Sequence, residues 1–432
     1  MDQFYVIGIF LFILLLLLGG GVWVGLALLG SAYIGIELFT SRPTGDAMMT
    51  ILWRSSSSWS LTVLPLFIWM GEILYRTRLS EDMFKGLAPW MSRLPGGLLH
   101  TNTVGCTIFA AVSGSSAATC STVGRMAIPE LRSRNYPEHL VLGTLAGAAT
   151  LGLLIPPSLI LIVYGVTMNE SITKLFIAGV IPGIVLALLF MVYTAIAAKL
   201  TKNWSPKPEP VIPFREKLRA SRALLPVVGL IVFVISSMYF GIATATEAAA
   251  VGVVGALILA AFQGSLNWQT FVNSLMGATR TSAMIALILA GAAFLSLAMG
   301  FTGLPRELAV WIGSLGLSKL ELLLALLLFY VAIGTFLDGI SAVVLTMAVL
   351  EPVVRQAGID PVWFGIFVVI TVEMAQIPPP IGFNLFVLQG MTGRSLSYLA
   401  KVSAPMFLIM VFMALMLIAV PELATWLPGK IK

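Results

Sequence analysis

The sequence predicts an all-α, polytopic membrane protein built as two inverted repeats, each with a re-entrant helical hairpin and a proline-broken transmembrane helix. Three observations carry this. Of 432 residues, 59% are hydrophobic and 10% charged, with a mean hydropathy of +1.00. A soluble domain carries about a quarter of its residues as charges. Second, residues 4–36, 94–124, 140–169, 175–198, 224–246, 248–279 and 402–421 contain no Asp, Glu, Lys or Arg. Apolar runs of about 18 residues or more read as membrane helices, whereas a barrel would alternate in segments of about ten. Third, landmarks in the first half recur in the second at a nearly constant offset. Together these exclude a soluble enzyme, a disordered chain and a nucleic-acid binder.

The chain opens with Met1-Asp2-Gln3, which lacks the positive flank of a cleaved signal, so the first apolar run is expected to remain. Net charge is +6, and the basic residues cluster: seven of 25 lie between Arg76 and Arg134, and seven more between Lys199 and Arg222. Such clusters mark cytoplasmic loops. The segment 199–222, with Pro206, Pro208, Pro210 and Pro213 among charges, reads as an extended, solvated linker. It divides a first repeat over 1–198 from a second over 223–432.

Within the first repeat, a crossing over 53–75 leads to a short arm (79–93). An apolar stretch follows, interrupted at Ser113-Gly114-Ser115-Ser116, then a helix from Pro137 broken at Ile155-Pro156-Pro157-Ser158. Within the second, an arm (304–315) leads to a stretch interrupted at Asp338-Gly339-Ile340-Ser341. Its counterpart helix starts at Pro361 and breaks at Ile377-Pro378-Pro379-Pro380. Pro129 and Pro352 are 223 residues apart, Pro137 and Pro361 are 224 apart, and Ile155 and Ile377 are 222 apart. Agreement this close indicates tandem duplication. The first interrupted stretch has basic flanks and the second does not, so the two are expected to enter from opposite faces. Segments 325–337 and 340–350 are each too short to span about 30 Å at 1.5 Å per residue, which favours hairpins over the alternative of two kinked spanning helices. About ten or eleven crossings plus two hairpins result. Inverted repeats with broken helices are the pattern of secondary transporters, whose sites lie at the midplane.

The interruptions carry the candidate site residues. Ser113, Gly114, Ser115 and Ser116 place three hydroxyls around a free-turning glycine, and Asp338, Gly339 and Ser341 stand at the matching point. Hard cations take oxygen ligands, and a proline frees a carbonyl one turn back. Pro156, Pro157 and Ser158, and Pro378 and Pro379, would supply such carbonyls. A hard cation such as Na⁺ is therefore expected near Ser113, Ser115 and Ser116, another near Asp338, Gly339 and Ser341, and one shared substrate site between the tips. The competing reading is that the glycines and serines only allow close helix packing. Glu373 lies deep in an apolar helix, where an acid is costly and functional by default: a cation ligand, a proton carrier or a hydrogen-bond acceptor. Asn384 is a polar group for the cavity. Glu247 reads as a helix cap and Glu72 as the ion-pair partner of Arg76. No Gly-x-x-x-x-Gly-Lys, His-Glu-x-x-His or Gly-x-Ser-x-Gly motif is present, so neither an ATPase nor an intramembrane protease has support, and no enzyme is expected.

Four segments resemble the large membrane (M, DctM-like) subunit of tripartite ATP-independent periplasmic (TRAP) transporters. They are Ala111-Val112-Ser113-Gly114-Ser115-Ser116-Ala117-Ala118-Thr119, Ile155-Pro156-Pro157-Ser158, Ala245-Thr246-Glu247-Ala248-Ala249-Ala250-Val251-Gly252 and Pro378-Pro379-Pro380-Ile381-Gly382. The resemblance runs the full length. It implies a multi-pass protein of the bacterial inner membrane that takes up a small organic acid, of the C4-dicarboxylate or sugar-acid class, by an elevator mechanism. It implies Na⁺ as coupling ion and no other cofactor. The implied partners are a small four-helix membrane subunit (Q type), a periplasmic substrate-binding protein (P type) and membrane lipids, with no nucleic acid. The alternative is a self-sufficient Na⁺/divalent-anion symporter that needs no binding protein.

Overall fold

The computed structural model describes residues 3–77, 79–201, 213–222, 224–379 and 382–430, and every regular element among them is helical. Length and composition make five helices able to cross a membrane, or eight if each bent pair is taken as one span. Three shorter apolar helices, Gly8–Gly19, Val24–Phe39 and Pro361–Met374, stand beside them. The crossing expected over 53–75 is two helices, Thr44–Ser56 and Trp59–Tyr75, bent by 55°.

The most buried segments are the first limbs of the two interrupted helices. Every residue from Leu140 to Ala149 is buried, as is every residue from Trp363 to Met374. A helix apolar on all sides belongs in a core rather than at a surface. Around this centre lie helices with one bare apolar face. On Ile172–Leu200, the residues Ile184, Leu188, Val192 and Ile196 form an exposed stripe at four-residue spacing. In water such a stripe would be a liability, and in a bilayer it is the lipid-facing side.

A second group packs through small residues. Val24–Phe39 meets the 35-residue helix Trp268–Thr302 at Gly25 and Gly291, where a Cβ on Gly291 would stand 2.6 Å from the Gly25 carbonyl oxygen. Without a hydrophobic drive between helices in lipid, such close backbone approach supplies the packing. Val63–Tyr75 joins this group through the Trp69 indole, which donates to Ser274 Oγ at 3.2 Å.

Both expected hairpins fold back. His100–Ser113 turns at Gly114 (φ +56°) into Ser116–Ser133, so that Gly105 on one arm faces Val123 on the other. Lys319–Gly334 turns into Gly339–Gln356, and the Tyr330 and Thr346 hydroxyls meet at 2.7 Å across that turn. In a continuous helix those residues, 16 apart, would be separated by about 24 Å. The second hairpin's arms are longer than expected, with 16 and 18 residues, and Gly339–Gln356 is among the five helices long and apolar enough to cross, so the fold-back and not the length identifies this hairpin. The segment 340–350 ends before Glu351, whereas the helix continues through Glu351 and Arg355, which pair at 3.1 Å one turn apart.

The linker is also corrected. Helix Ile172–Leu200 extends into its start, residues 202–212 lie outside the described residues, and Phe214–Ser221 is a helix. Pro213 sits at its N-cap with Glu216 in the first turn and Arg219 in the last, an arrangement that suits the helix dipole. The arms sit where expected, at Leu79–Met91 and Leu304–Ser314.

Candidate functional site

The first tip is built from its own hydroxyls. Gly114 ends one arm in the left-handed region and donates its N–H to the Ala110 carbonyl at 3.0 Å. Ser115 caps the next arm, accepting from the Ala118 N–H at 3.4 Å. Ser113 Oγ lies 2.7 Å from Thr119 Oγ1 and donates to the Ser115 carbonyl at 3.2 Å. Ser116 reaches across the chain: its hydroxyl donates to Glu373 Oε2, on the second interrupted helix. Glu373 is fully buried and, among the described residues, its other oxygen, Oε1, has no partner. A buried unpaired carboxylate oxygen is expensive and calls for a ligand or a proton.

The first break packs onto this tip. Glu138–Leu154 and Leu159–Met168 are bent by 41° across it, and Pro156-Pro157 is a cis peptide. Ser158 donates to the Leu153 carbonyl and caps the second limb by accepting from the Leu161 N–H at 3.4 Å. Gly152 touches the tip directly: a Cβ there would stand 2.9 Å from the Ser115 carbonyl group and from Ser116 Cα. A Cβ on Gly114 would meet Leu159 at 2.9 Å. Pro156 instead faces Gly179 of helix Ile172–Leu200.

The second tip is capped by Asp338, which accepts from the Ser341 N–H at 3.2 Å and remains partly exposed. Ser341 Oγ is buried and has no partner among the described residues. Gly339 lies against both interrupted helices, within 3.2–3.4 Å of Val372, Ile160 and Leu153 as measured to a virtual Cβ. The second break spans 375–382, of which Pro380 and Ile381 lie outside the described residues. Around Gly382 (φ +53°), the carbonyl oxygens of Gln376, Ile377 and Pro378 gather 3.0–3.3 Å from where a Cβ would sit. Only glycine accepts that conformation with oxygens so close. Asn384 is buried and donates to the Ala146 carbonyl at 3.4 Å, and its Oδ1 has no partner among the described residues.

The structure thus brings Ser115, Ser116, Gly339 and Glu373 to one region with both interrupted helices. Pro379 is exposed, and among the described residues no hydrogen bond joins Asp338 to the first tip. The sequence reading missed Thr119, Gly152 and Gly382. The first two look like any small residue of an apolar helix, and Gly382 was legible only as the glycine after a proline run.

Outside the apolar centre, Glu138 bridges two arginines. Arg394 donates to Glu138 Oε2 at 2.6 Å, and Arg132 donates to Oε1. Glu247 forms a capping box with Thr244, as expected. Glu72 pairs with Arg76.

Two folded-back hairpins meeting two interrupted helices, with unpartnered buried oxygens between them, define a membrane transport protein rather than an enzyme. Residues 9–423 match the family described as "Tripartite ATP-independent periplasmic transporter, DctM component". The chain belongs to that family, the large permease subunits of TRAP transporters, which reside in the bacterial inner membrane. It is 31% identical to a C4-dicarboxylate TRAP transporter large permease protein of Pseudomonas aeruginosa, covering 88% of each chain. It is 31% identical to an isethionate TRAP transporter permease protein, DctMQ, of Oleidesulfovibrio alaskensis, over 97% of this chain and 65% of that one. A sialic acid TRAP transporter large permease protein of Vibrio cholerae is 29% identical over 95% of this chain and 96% of its own. In fold, the crystal structure of the Alcanivorax borkumensis YdaH transporter superposes with a TM-score of 0.66 at 16% identity, over 95% of this chain and 98% of that one.

Proposed function

We propose that this subunit takes up a small organic acid across the inner membrane, driven by a Na⁺ gradient, by an elevator movement of the hairpins and interrupted helices. A small membrane subunit and a periplasmic binding protein complete the transporter. The observation that carries this reading is the Ser116–Glu373 hydrogen bond, which ties the tip of one half to the interrupted helix of the other. Gly152 and Gly339 pack the remaining elements against the same region. Such a unit moves as one body, and it holds oxygen donors suited to a hard cation. In this reading, Na⁺ is held by Ser113, Ser115 and Ser116 with the first break, and by Asp338, Gly339 and Ser341 with the carbonyls around Gly382.

Inverted symmetry is supported by equivalent clasps at the two ends. Arg132, ending the first hairpin, pairs with Glu138, which also holds Arg394 beyond the second interrupted helix. Arg355, 223 residues after Arg132, ends the second hairpin, donates to the Met168 carbonyl at 3.0 Å and approaches Glu170 at 3.6 Å, beyond the first interrupted helix. The group containing Val24–Phe39 and Trp268–Thr302 would be the fixed scaffold. Relatives named for C4-dicarboxylates, isethionate, ectoine and sialic acid stand at nearly equal identity, so the proposal stops at the organic-acid class.

The test is uptake by proteoliposomes holding this chain and its small partner, with the binding protein present or absent and a Na⁺ gradient imposed or not. Uptake that requires both supports the proposal. Uptake without the binding protein makes the chain a self-sufficient symporter, and indifference to Na⁺ removes the coupling ion.

A further inference from the structure

The helix Phe214–Ser221, within what read as an extended linker, has three distinct sides. Lys217 and Ser221 face inward onto the first arm. Lys217 is buried and lies 5.6 Å from the Trp90 ring, and Ser221 Oγ accepts from the Trp90 indole at 2.7 Å and contacts the Gly86 carbonyl at 3.2 Å. Phe214 and Leu218, four apart, form an apolar side that stays 69% and 48% exposed, although the Phe214 ring also meets the Trp90 ring edge-on at 5.9 Å. Arg215, Arg219 and Arg222, four and three residues apart, share the third side, all exposed, and among the described residues none of them forms an ion pair.

Docking onto the arm fixes this helix in orientation, and the next helix, Leu225–Tyr239, leaves it at 65° with Leu225, Val232 and Phe233 exposed. The apolar side of the short helix therefore stands where a lipid-facing span begins, with the arginine side next to it. A helix with apolar and basic strips side by side at a membrane boundary lies in the interface, its apolar residues among acyl chains and its cations at headgroup level. Unpaired arginines there match an anionic headgroup in charge and in bidentate geometry.

We infer that the Phe214–Ser221 helix and the Trp90 end of the first arm form a binding site for an anionic phospholipid of the cytoplasmic leaflet. Arg215, Arg219 and Arg222 hold the phosphate-bearing headgroup, and Phe214 and Leu218 hold the upper acyl chain. The inference rests on membrane orientation and not on Na⁺ coupling, so it stands or falls separately from the proposed transport reaction.

The test places the full chain in phosphatidylcholine vesicles containing a photoactivatable phosphatidylglycerol, and maps cross-links by mass spectrometry. Cross-links are expected on Phe214–Ser221 and Trp90 in preference to those from a photoactivatable phosphatidylcholine. At about 1 kcal/mol per arginine near the surface, the variant Arg215→Gln/Arg219→Gln/Arg222→Gln should lose that preference by up to roughly a hundredfold at low salt. Its cross-links to the other lipid-facing helices should not change, which reports that it is folded. Should the variant fail to insert, raising the salt on the wild-type protein must lower the preference. Equal labelling by the neutral lipid, an unaltered preference in the variant, or insensitivity to salt would each overturn the inference. Full displacement by soluble glycerophosphate would also overturn it, by showing a phosphate site that needs no acyl chain.

Discussion

Replacing Gly152 by alanine tests the contact between the first interrupted helix and the first tip. The added Cβ would stand 2.9 Å from the Ser115 carbonyl carbon and oxygen and 2.9 Å from Ser116 Cα. These are backbone atoms, so no side chain can rotate away. Ordinary contact begins at about 3.4 Å, and the tip must therefore retreat by about 0.5 Å, which is the tolerance within which a binding constellation has to be held. Overpacking costs about 1–3 kcal/mol, and alanine in a helix returns up to about 1 kcal/mol relative to glycine. The net change in stability is thus small, while the tip hydroxyls move relative to Glu373. Uptake in proteoliposomes should fall roughly tenfold or more, with a weakened Na⁺ dependence, and the melting temperature should move by only a few degrees. Gly229→Ala is the control, because nothing lies within 4 Å of its virtual Cβ. Wild-type uptake and Na⁺ dependence in Gly152→Ala would refute the claim that this packing positions the tip.

Three other outcomes follow from the same geometry. Asp338→Asn keeps an N-cap oxygen for the Ser341 N–H but removes the charge, so it should retain stability and lose Na⁺-dependent uptake; Asp338→Ala should in addition lose about 1 kcal/mol of capping, read by thermal unfolding. Glu373→Gln retains an acceptor for Ser116 and should insert normally yet fail in coupled uptake, whereas Ser116→Ala, which leaves both carboxylate oxygens unpaired, should cost about 1–3 kcal/mol in stability. Glu138→Gln removes the pairing with both Arg132 and Arg394 and should lower stability in thermal unfolding by no more than about 1 kcal/mol, because the clasp is solvent-screened; a larger loss would contradict its placement at the helix end.

What the sequence revealed and what it concealed have physical causes. Tips and breaks were legible because glycine, proline and serine clusters are local signals inside otherwise uniform apolar helices, and the 223-residue offset tied them in pairs. Glu373 stood out because an acid has no casual place there. The contact that organises the site was not legible: Ser116 and Glu373 are 257 residues apart, and no local pattern links them. Gly152 and Thr119 were hidden among small residues that packing alone would explain. The helix Phe214–Ser221 was masked by the prolines before it, although Pro213 is a start signal as well as an extended-chain signal. The second hairpin's arms run past 325–337 and 340–350 because a charged residue such as Glu351 ends an apolar run without ending a helix.

The most direct test of the central claim, that the tips and broken helices hold the coupling cation, is thermal unfolding of the purified full chain in Na⁺ against K⁺ at equal ionic strength. A ligand that binds only the folded state raises its stability with concentration. The account predicts a concentration-dependent rise in melting temperature with Na⁺ and none with K⁺, reduced in Asp338→Asn and in Gly152→Ala. Equal stabilisation by the two ions, or a Na⁺ response undiminished in both variants, would contradict it.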